Sequence, residues 1–243
     1  MSKKRKLAHY LLLLCLLLLS VIILLHNVPT VVTDEDILTL QKIYPHTPID
    51  ANQISFEEQI ALIQSFQKEL HQKINRGYPI DYYQPREPKD LLLHCTGLCY
   101  DFSRTIEKFL VFNQFEVRHV SIYQTDTTIG KLKSFIKPGA LSHALTEVKT
   151  KNGWMIVDSN YEWIALDNSR KPYSFKEICK TYNAEENIDW LIQLEPIYLP
   201  FYDQCPVFIY GLYSRHGGFY PPYTILPDYN LRDLFVENLF CAN

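Results

Sequence analysis

The hydrophobic pattern divides the chain into one long apolar segment and a series of amphipathic segments. Leu7–Leu25 is almost entirely apolar and follows the basic cluster Lys3–Lys6. Nineteen helical residues span about 28 Å, the thickness of a bilayer core. Because no small-x-small cleavage pattern follows, we favour an uncleaved anchor over a cleaved signal peptide. The basic cluster predicts a single-pass protein of the inner (cytoplasmic) membrane, with its N-terminus in the cytoplasm and everything after His26 outside it.

Apolar residues at helical spacing predict several helices after the anchor. The acidic stretch Thr33–Asp36 begins a short helix within residues 27–52, which otherwise reads as a tether. Ser55 and Glu58 form a capping-box pattern before an apolar stripe that reaches Leu70. The proline-rich stretch 77–90 predicts a loop. Further helices are predicted at Cys99–Asn113, Ser174–Tyr182 and Asn230–Phe240.

Alternating patterns predict strands in the middle of the chain. Phe115–Tyr123 is a strand candidate in which neither face is cleanly apolar, and Gln124–Gly139 reads as a loop or flap. Leu141–Val148 and Trp154–Asp158 are strands joined through Asn152-Gly153, a strong hairpin signal. Two further strand candidates are Ser159–Ile164 and Val207–Tyr210.

Two hairpin registers fit this connection. Either Asn152 and Gly153 are the two turn residues, or the loop comprises residues 150–153. Both registers place His143 and Asp158 on the same face of adjacent strands, two or four residues from direct opposition. A three-residue loop would reverse this parity unless a bulge restored it.

Composition narrows the class of protein. Hydrophobic residues make up 47% of the 243 residues and charged residues 21%, as in an ordinary globular protein. Four of the 24 Lys and Arg lie in the N-terminal tail. The rest of the chain therefore has 20 basic residues and 27 acidic ones, and is acidic. An acidic domain without a basic stripe argues against nucleic acid as a partner. Six scattered cysteines are too sparse for a disulfide scaffold. The absence of an Asn-x-Ser/Thr sequon favours a bacterial source.

Cys99 is the first candidate for chemistry. Free N–H groups and the positive dipole end at a helix start favour the thiolate, which is the nucleophilic form. The structural alternative is a small buried apolar side chain. Downstream, His143 and Asp158 complete the order Cys, His, Asp. Acyl transfer by a thiol uses this trio: a thiolate, an imidazole that holds its proton, and a carboxylate that orients the imidazole.

Three blocks of the sequence, GLCYDF at 97–102, HALTEV at 143–148 and WMIVD at 154–158, resemble those of the transglutaminase-like domain, a branch of the papain-like cysteine enzymes. The resemblance implies an α+β fold in which a cysteine-bearing helix packs on an antiparallel sheet. The chain departs from the usual pattern at Leu145, often Trp, and at Ser159, often Pro. Both departures bear on substrate specificity.

The resemblance also implies roles for individual residues. Cys99 would be the nucleophile, His143 the general base and acid, and Asp158 its orienting partner. The oxyanion hole would use the Cys99 backbone N–H and an upstream side chain, for which Gln84 is the candidate by analogy with papain-like enzymes. No cofactor and no metal are implied.

Several alternatives stay open. Cys95 could replace Cys99 as nucleophile or pair with it as a redox module, and Asn160 could replace Asp158 because it has the same strand parity. His94 has no second ligand at metal-binding spacing and is interpreted as a loop residue.

The expected reaction is hydrolysis, deamidation or acyl transfer at a peptide or protein amide, with a cell-envelope or glycan-linked substrate as one option. The alternative function is a non-catalytic binding or scaffold protein in cell-envelope or polysaccharide assembly.

We divide the chain into a tail and anchor (1–26), a tether with a short helix (27–52), the transglutaminase-like core (53–195) and a Tyr/Pro-rich extension (196–243). The extension is interpreted as a wrap over the core, with a substrate platform as the alternative.

Overall fold

The computed structural model describes residues 3–82, 84–124, 130, 133, 136–194, 199–202, 205–218 and 227–240. Within these ranges, one N-terminal helix, α1 (Lys3–His26), is long and apolar enough to cross a membrane. Length, composition and position near the N-terminus fit a signal sequence as well as an anchor.

The remaining described elements are helices and strands, most of them short. The helices are α2 (Asp34–Ile43), α3 (Phe56–Lys73), α4 (Pro88–His94), α5 (Cys99–Phe112), α6 (Phe175–Asn183), α7 (Leu199–Tyr202) and α8 (Leu231–Phe235), the last continued by a π-helical turn over Val236–Phe240. The strands are β1 (Asn75–Arg76), β2 (Thr96–Gly97), β3 (Val117–Tyr123), β4 (Ser142–Thr150), β5 (Gly153–Val157), β6 (Val207–Tyr210), β7 (Leu212–Tyr213) and β8 (Asp228–Tyr229).

A four-stranded antiparallel sheet in the order β5-β4-β3-β6 forms the centre of this mixed α/β fold. Helix α5 packs on β4 and β3. Strand β3 lies between two partners and is buried along nearly its whole length. Because both of its faces are covered, the strand does not need the apolar and polar alternation that a half-exposed strand shows.

The β4–β5 hairpin adopts the second of the two expected registers. Thr146 lies opposite Val157 and Thr150 opposite Gly153, so Lys151 and Asn152 form the turn. Gly153 follows the turn with φ +133°, a conformation that favours glycine. This register leaves His143 and Asp158 two residues from direct opposition, on the same face.

Side-chain caps fix the helices that support the sheet. At α2, the Thr33 hydroxyl accepts from Asp36 N–H and the Asp36 carboxylate from Thr33 N–H. Ser55 and Glu58 form the same reciprocal pair at α3, which confirms both predicted helix starts. The apolar stripe of α3 packs on α5, where the Phe66 ring stacks on a phenylalanine of the cysteine helix, Phe109, at 3.7 Å.

Three local predictions were wrong or lie outside the described residues. The loop expected to reach Asp90 ends earlier, because Pro88 begins α4, and a proline is tolerated in the first helical turn. Ser159–Ile164 forms a turn with one bridge, Val157 to Ile164, rather than a strand. Most of the expected flap, Gln124–Gly139, lies outside the described residues.

The segment that follows α1 and the described part of the C-terminal region are both hydrogen-bonded to the core. Val28 N–H donates to the Tyr229 carbonyl at 2.8 Å, and Arg104 of α5 donates to the Pro29 carbonyl at 2.7 Å. From the other end of the chain, β6 pairs with β3 and extends the sheet. The start of the segment expected to be a tether is therefore fixed against the cysteine helix, and the described part of the C-terminal extension supplies a strand of the sheet.

Candidate active site

The start of α5 positions Cys99. Asp101, in the first turn, accepts from Leu98 N–H at 2.9 Å and is itself held by the Arg86 guanidinium at 2.8 and 2.9 Å. Gly97 precedes this turn at a close approach, since an added Cβ would lie 2.6 Å from Leu91 Cδ1 and 2.9 Å from Asp101 Cβ. Only glycine fits there without a shift of its neighbours, which is a physical reason for a glycine two positions before Cys99.

His143 and Asp158 meet across the β4–β5 hairpin. His143 Nε2 lies 3.1 Å from Asp158 Oδ2, and both side chains are almost fully buried. Ser159 Oγ donates to the Ala144 carbonyl at 2.6 Å and ties the turn after β5 back to β4. Ser159, which stands where the transglutaminase-like pattern often has Pro, thus makes a structural contact. The structure brings together the two residues that the hairpin register placed on one face.

Cys99 lines the same small cavity as His143 and packs against Ala144. The His143 side chain and the Ala144 backbone N–H both act to lower the pKa of the Cys99 thiol. Because Nε2 faces Asp158, Nδ1 is the ring nitrogen left for the thiol. Burial alone would raise the pKa of the Cys99 thiol, but the bond to His143 and its positive charge outweigh burial and lower this pKa.

The imidazole shifts in the opposite sense. Burial disfavours the charged ring, yet the Asp158 carboxylate and the Cys99 sulfur raise the pKa of His143 to about 10. Burial would also raise the pKa of Asp158, but His143 outweighs it and lowers that pKa. Together these shifts favour a thiolate and an imidazolium oriented by a carboxylate.

Two contacts to Asp158 were not predicted from the sequence. The Tyr202 hydroxyl donates to Asp158 Oδ2 at 2.6 Å, and Asn160 N–H donates to Oδ1 at 2.7 Å. Asn160 therefore binds the carboxylate through its backbone. Gln67 of α3 donates to the Asp158, Tyr161 and Trp163 carbonyls and fixes the turn. No sequence signal identifies Tyr202, because it is one of 17 tyrosines and lies 44 positions from its partner.

A small cavity of about 50 Å³ adjoins Cys99 and His143. Tyr82 and Arg86 line it from the loop before α4. Gln84 belongs to the same loop and is half-buried, but it is not among the described residues that line the cavity. The oxyanion role of Gln84 stays a prediction.

Cys95, Cys179 and Cys205 are not among the described residues that line the cavity beside Cys99. Cys95 ends α4 as an exposed free thiol that donates to the Leu92 carbonyl at 3.3 Å, and Cys99 is also free. A disulfide joins Cys179 of α6 to Cys205, a pair that the sequence did not predict. The structure therefore places the oxidised pair elsewhere than at the two neighbouring cysteines.

Among the residues that the structure describes, one cluster of possible metal ligands lies at the end of α1. It comprises His26, His216 and Asp228, with potential ligand atoms within 4.8 Å of one another. The buried Asp228 carboxylate already accepts from the ring and the backbone N–H of His216, each at 2.6 Å, and Arg215 lies 3.7 Å away. A guanidinium opposes a bound cation, so we interpret this cluster as a network joining α1 to β8.

Comparison with known proteins adds little. No family model and no curated protein matches the chain. Among solved structures, it is similar to a crystal structure described as "a Putative Cysteine Protease from Cytophaga hutchinsonii", with 15% sequence identity and a TM-score of 0.31. The match covers 56% of this chain and 45% of that one, so it spans less than half of that protein. A likeness at this level does not decide function.

Proposed function

We propose that this protein is a membrane-anchored, extracytoplasmic cysteine enzyme with a transglutaminase-like core that acts on amide bonds through Cys99, His143 and Asp158. The observation that carries the proposal is that Cys99 and His143 line one cavity while the His143 ring is hydrogen-bonded to the buried Asp158 carboxylate. Each residue type sits where acyl transfer by a thiol requires it: nucleophile at a helix start, base within its reach, and carboxylate behind the base.

In the proposed reaction, the Cys99 thiolate attacks the amide carbonyl carbon, and the Cys99 backbone N–H helps to stabilise the oxyanion. His143 gives its proton to the leaving amine as the C–N bond breaks, which leaves a thioester on Cys99. Water or an acceptor amine then attacks the thioester while His143 takes its proton. The C–S bond breaks, and the thiolate and imidazolium are restored. Asp158 keeps its negative charge throughout.

The proposed location rests on two features. The apolar helix α1 follows a basic cluster, which favours a cytoplasmic N-terminus. The Cys179–Cys205 disulfide fits an oxidising compartment, because cytosolic thiols are normally kept reduced. Together they support a catalytic domain outside the cytoplasm.

The proposed substrate is a peptide or protein amide held near the membrane or cell envelope. Val28 follows the last residue of α1 by two positions and is fully buried in a small cluster with Tyr100, Ala144 and Tyr213, against which Cys99 packs. Two residues of chain reach at most about 7 Å. The nucleophile is therefore close to the end of the proposed anchor, where a membrane-held substrate would meet it.

The test is the pH profile of Cys99 alkylation by iodoacetamide, read by peptide mass spectrometry so that other cysteines do not contribute. We expect rapid alkylation well below the ordinary thiol pKa of about 8.5. His143→Gln should move the profile upward, because burial then acts on the thiol without the opposing imidazolium. A wild-type profile that follows an ordinary thiol would contradict the proposal.

Candidate amides are tested with the full chain in detergent. Peptides are analysed by mass, which separates hydrolysis, deamidation and amine transfer. Cys99→Ala should abolish each of these products, and Cys95→Ser should leave them unchanged. Retention of activity by the Cys99→Ala protein would exclude the proposed mechanism.

A non-catalytic scaffold in cell-envelope or polysaccharide assembly is the second candidate. The observation that favours it is the small volume beside Cys99, about 50 Å³, whereas a groove of about 870 Å³ lies over the Cys179–Cys205 disulfide. A scaffold predicts that Cys99→Ala keeps full function in cells, whereas the enzyme predicts its loss.

A further inference from the structure

The Tyr202 hydroxyl and the His143 ring bind the same carboxylate oxygen of Asp158. The hydroxyl lies 2.6 Å from Asp158 Oδ2, and His143 Nε2 lies 3.1 Å from the same atom. The second oxygen, Oδ1, accepts from Asn160 N–H at 2.7 Å. Asp158 and Tyr202 are 1% and 2% exposed, so the protein supplies these hydrogen bonds where solvent is excluded. The donors at Oδ1 and Oδ2 together fix the plane of the carboxylate.

The ring of Tyr202 is held from two sides. It lies 4.5 Å from the Trp163 ring and is stacked, at 5.8 Å and an interplanar angle of 15°, on Phe175 of α6. One helical turn after Phe175, Cys179 forms the disulfide to Cys205. Cys205 is three positions after Tyr202, so the same helix that stacks on the tyrosine ring also binds the chain beside it covalently.

We propose that Tyr202 is a positioning residue for the His143–Asp158 pair and that the Cys179–Cys205 disulfide holds it against Asp158. This inference rests on the proposed function. It adds a fourth side chain to the site and makes the disulfide a determinant of its reactivity. Tyr202 acts through Asp158 and is not assigned a contact with substrate.

The titratable and charged groups around Asp158 determine the direction of the effect. His143 of β4 is hydrogen-bonded to Asp158 and interacts with Cys99. His71 of α3 interacts with the charge of Asp158 and with that of Arg76. Tyr202 donates to the charged carboxylate and therefore favours ionisation. Without this donor, Asp158 takes up a proton at higher pH, the imidazolium loses its partner, and the thiolate is lost with it.

The experiment compares the pH profile of Cys99 alkylation in the wild-type chain and in Tyr202→Phe, which keeps the ring and removes the hydroxyl. The acid limb of the profile is the range in which Cys99 alkylation slows as the pH falls. We expect this limb to move upward by about one pH unit in Tyr202→Phe, as the loss of one hydrogen bond to a charged group implies. Tyr210→Phe is the matched control, because Tyr210 is also a buried tyrosine that donates to a carboxylate, that of Glu147, away from Cys99. Its profile should match the wild type.

The role of the disulfide is tested by the double variant Cys179→Ser/Cys205→Ser, in the wild-type and in the Tyr202→Phe background. We expect the serine variant to shift the acid limb in the same direction in the wild-type background and to add no further shift in Tyr202→Phe, because both changes act through one contact. Equal shifts in the two backgrounds would overturn the assignment of the disulfide to Tyr202, since a purely structural disulfide acts in both.

The outcomes separate this inference from the function on which it rests. If wild-type Cys99 alkylates as an ordinary thiol, the proposed function fails and the inference fails with it. If the wild-type thiol is activated and Tyr202→Phe has the same profile, only the inference is overturned. The thermal unfolding midpoints of Tyr202→Phe and Tyr210→Phe are compared as well. If they match, a shift of the Cys99 alkylation profile in Tyr202→Phe alone reports the positioning of Asp158 and not a loss of folded protein.

Discussion

Arg86 and Asp101 form a buried ion pair that joins the loop before α4 to the first turn of the cysteine helix. Arg86 Nε and Nη2 lie 2.8 and 2.9 Å from the two carboxylate oxygens, and both side chains are almost fully buried. Arg86 also donates to the Ser214 carbonyl at 2.6 Å, and Asp101 accepts from Leu98 N–H. One guanidinium thus connects the helix start, the loop beside the cavity and the C-terminal segment.

Arg86→Ala should strongly destabilise the protein, because it leaves the Asp101 carboxylate buried without its partner. Breaking a buried pair from one side costs about 3–5 kcal/mol. The free energy of unfolding from urea denaturation measures this loss. Arg170→Ala is the control, since Arg170 pairs with Glu57 at the surface, where ion pairs contribute about 0–1 kcal/mol. Losses of similar size in the two variants would show that the Arg86 pair is not structural.

Gly97→Ala should disturb the position of Cys99. The added Cβ would lie 2.6 Å from Leu91 Cδ1 and 2.9 Å from Asp101 Cβ, so α4 or the start of α5 must shift. We expect a loss of about 1–3 kcal/mol, typical of overpacking, and slower Cys99 alkylation at pH 7. Gly77→Ala is the control, because its added Cβ meets only an ordinary contact of 3.6 Å with Thr96. An unchanged alkylation rate in Gly97→Ala would contradict a role for this close approach.

The sequence predicted those parts of the fold that local chemistry determines. The reciprocal caps at Ser55 and Glu58 depend on residues three apart, so they are visible in the chain. The approach of His143 to Asp158 could be expected as well, because hairpin parity puts residues on one face whichever of the two even-numbered loops forms. The start of the cysteine helix followed from the apolar spacing after Cys99.

The features that sequence reasoning missed depend on contacts between distant segments. Tyr202 reaches Asp158, and Cys179 reaches Cys205, only because the C-terminal segment packs beside the sheet. The ion pair between Arg86 and Asp101 has no periodicity to reveal it. Strand β3 gave a weak signal because it is central and buried on both faces, where alternation is not required.

One buried histidine, His119, and one partly buried histidine, His71, should make the protein sensitive to mild acid. Burial lowers the pKa of His119 to about 3 and that of His71 to about 4. Below about pH 6.5 the unfolded chain binds protons at these histidines that the folded protein does not, so protonation favours unfolding. Each histidine should lower the free energy of unfolding by about 1.4 kcal/mol per pH unit as the pH falls from 6.5 towards 4.

Urea denaturation at several pH values measures this slope. His119→Gln removes one of the two groups, so its slope between pH 6 and 4 should be smaller by about 1.4 kcal/mol per pH unit, whatever its stability at pH 7. His94→Gln is the control, because it replaces a histidine whose side chain is exposed, and it should keep the wild-type slope. The same slope in all three proteins would refute the contribution of His119.

The exposed thiol of Cys95 allows a test of membrane topology. If α1 is an anchor with a cytoplasmic N-terminus, Cys95 lies on the outer face of the inner membrane, and a membrane-impermeant maleimide should label it in intact spheroplasts. The experiment uses the Cys99→Ala/Cys241→Ser chain, so that the proposed reactive thiol and the C-terminal cysteine do not contribute. In this background Cys95→Ser should remove the label, whereas Cys15→Ser, within the apolar helix, should not. A second variant, in which Lys3–Lys6 are replaced by glutamine, should reduce labelling, because orientation depends on the basic cluster. Labelling of Cys95 only after lysis would place the domain in the cytoplasm and overturn the proposed location.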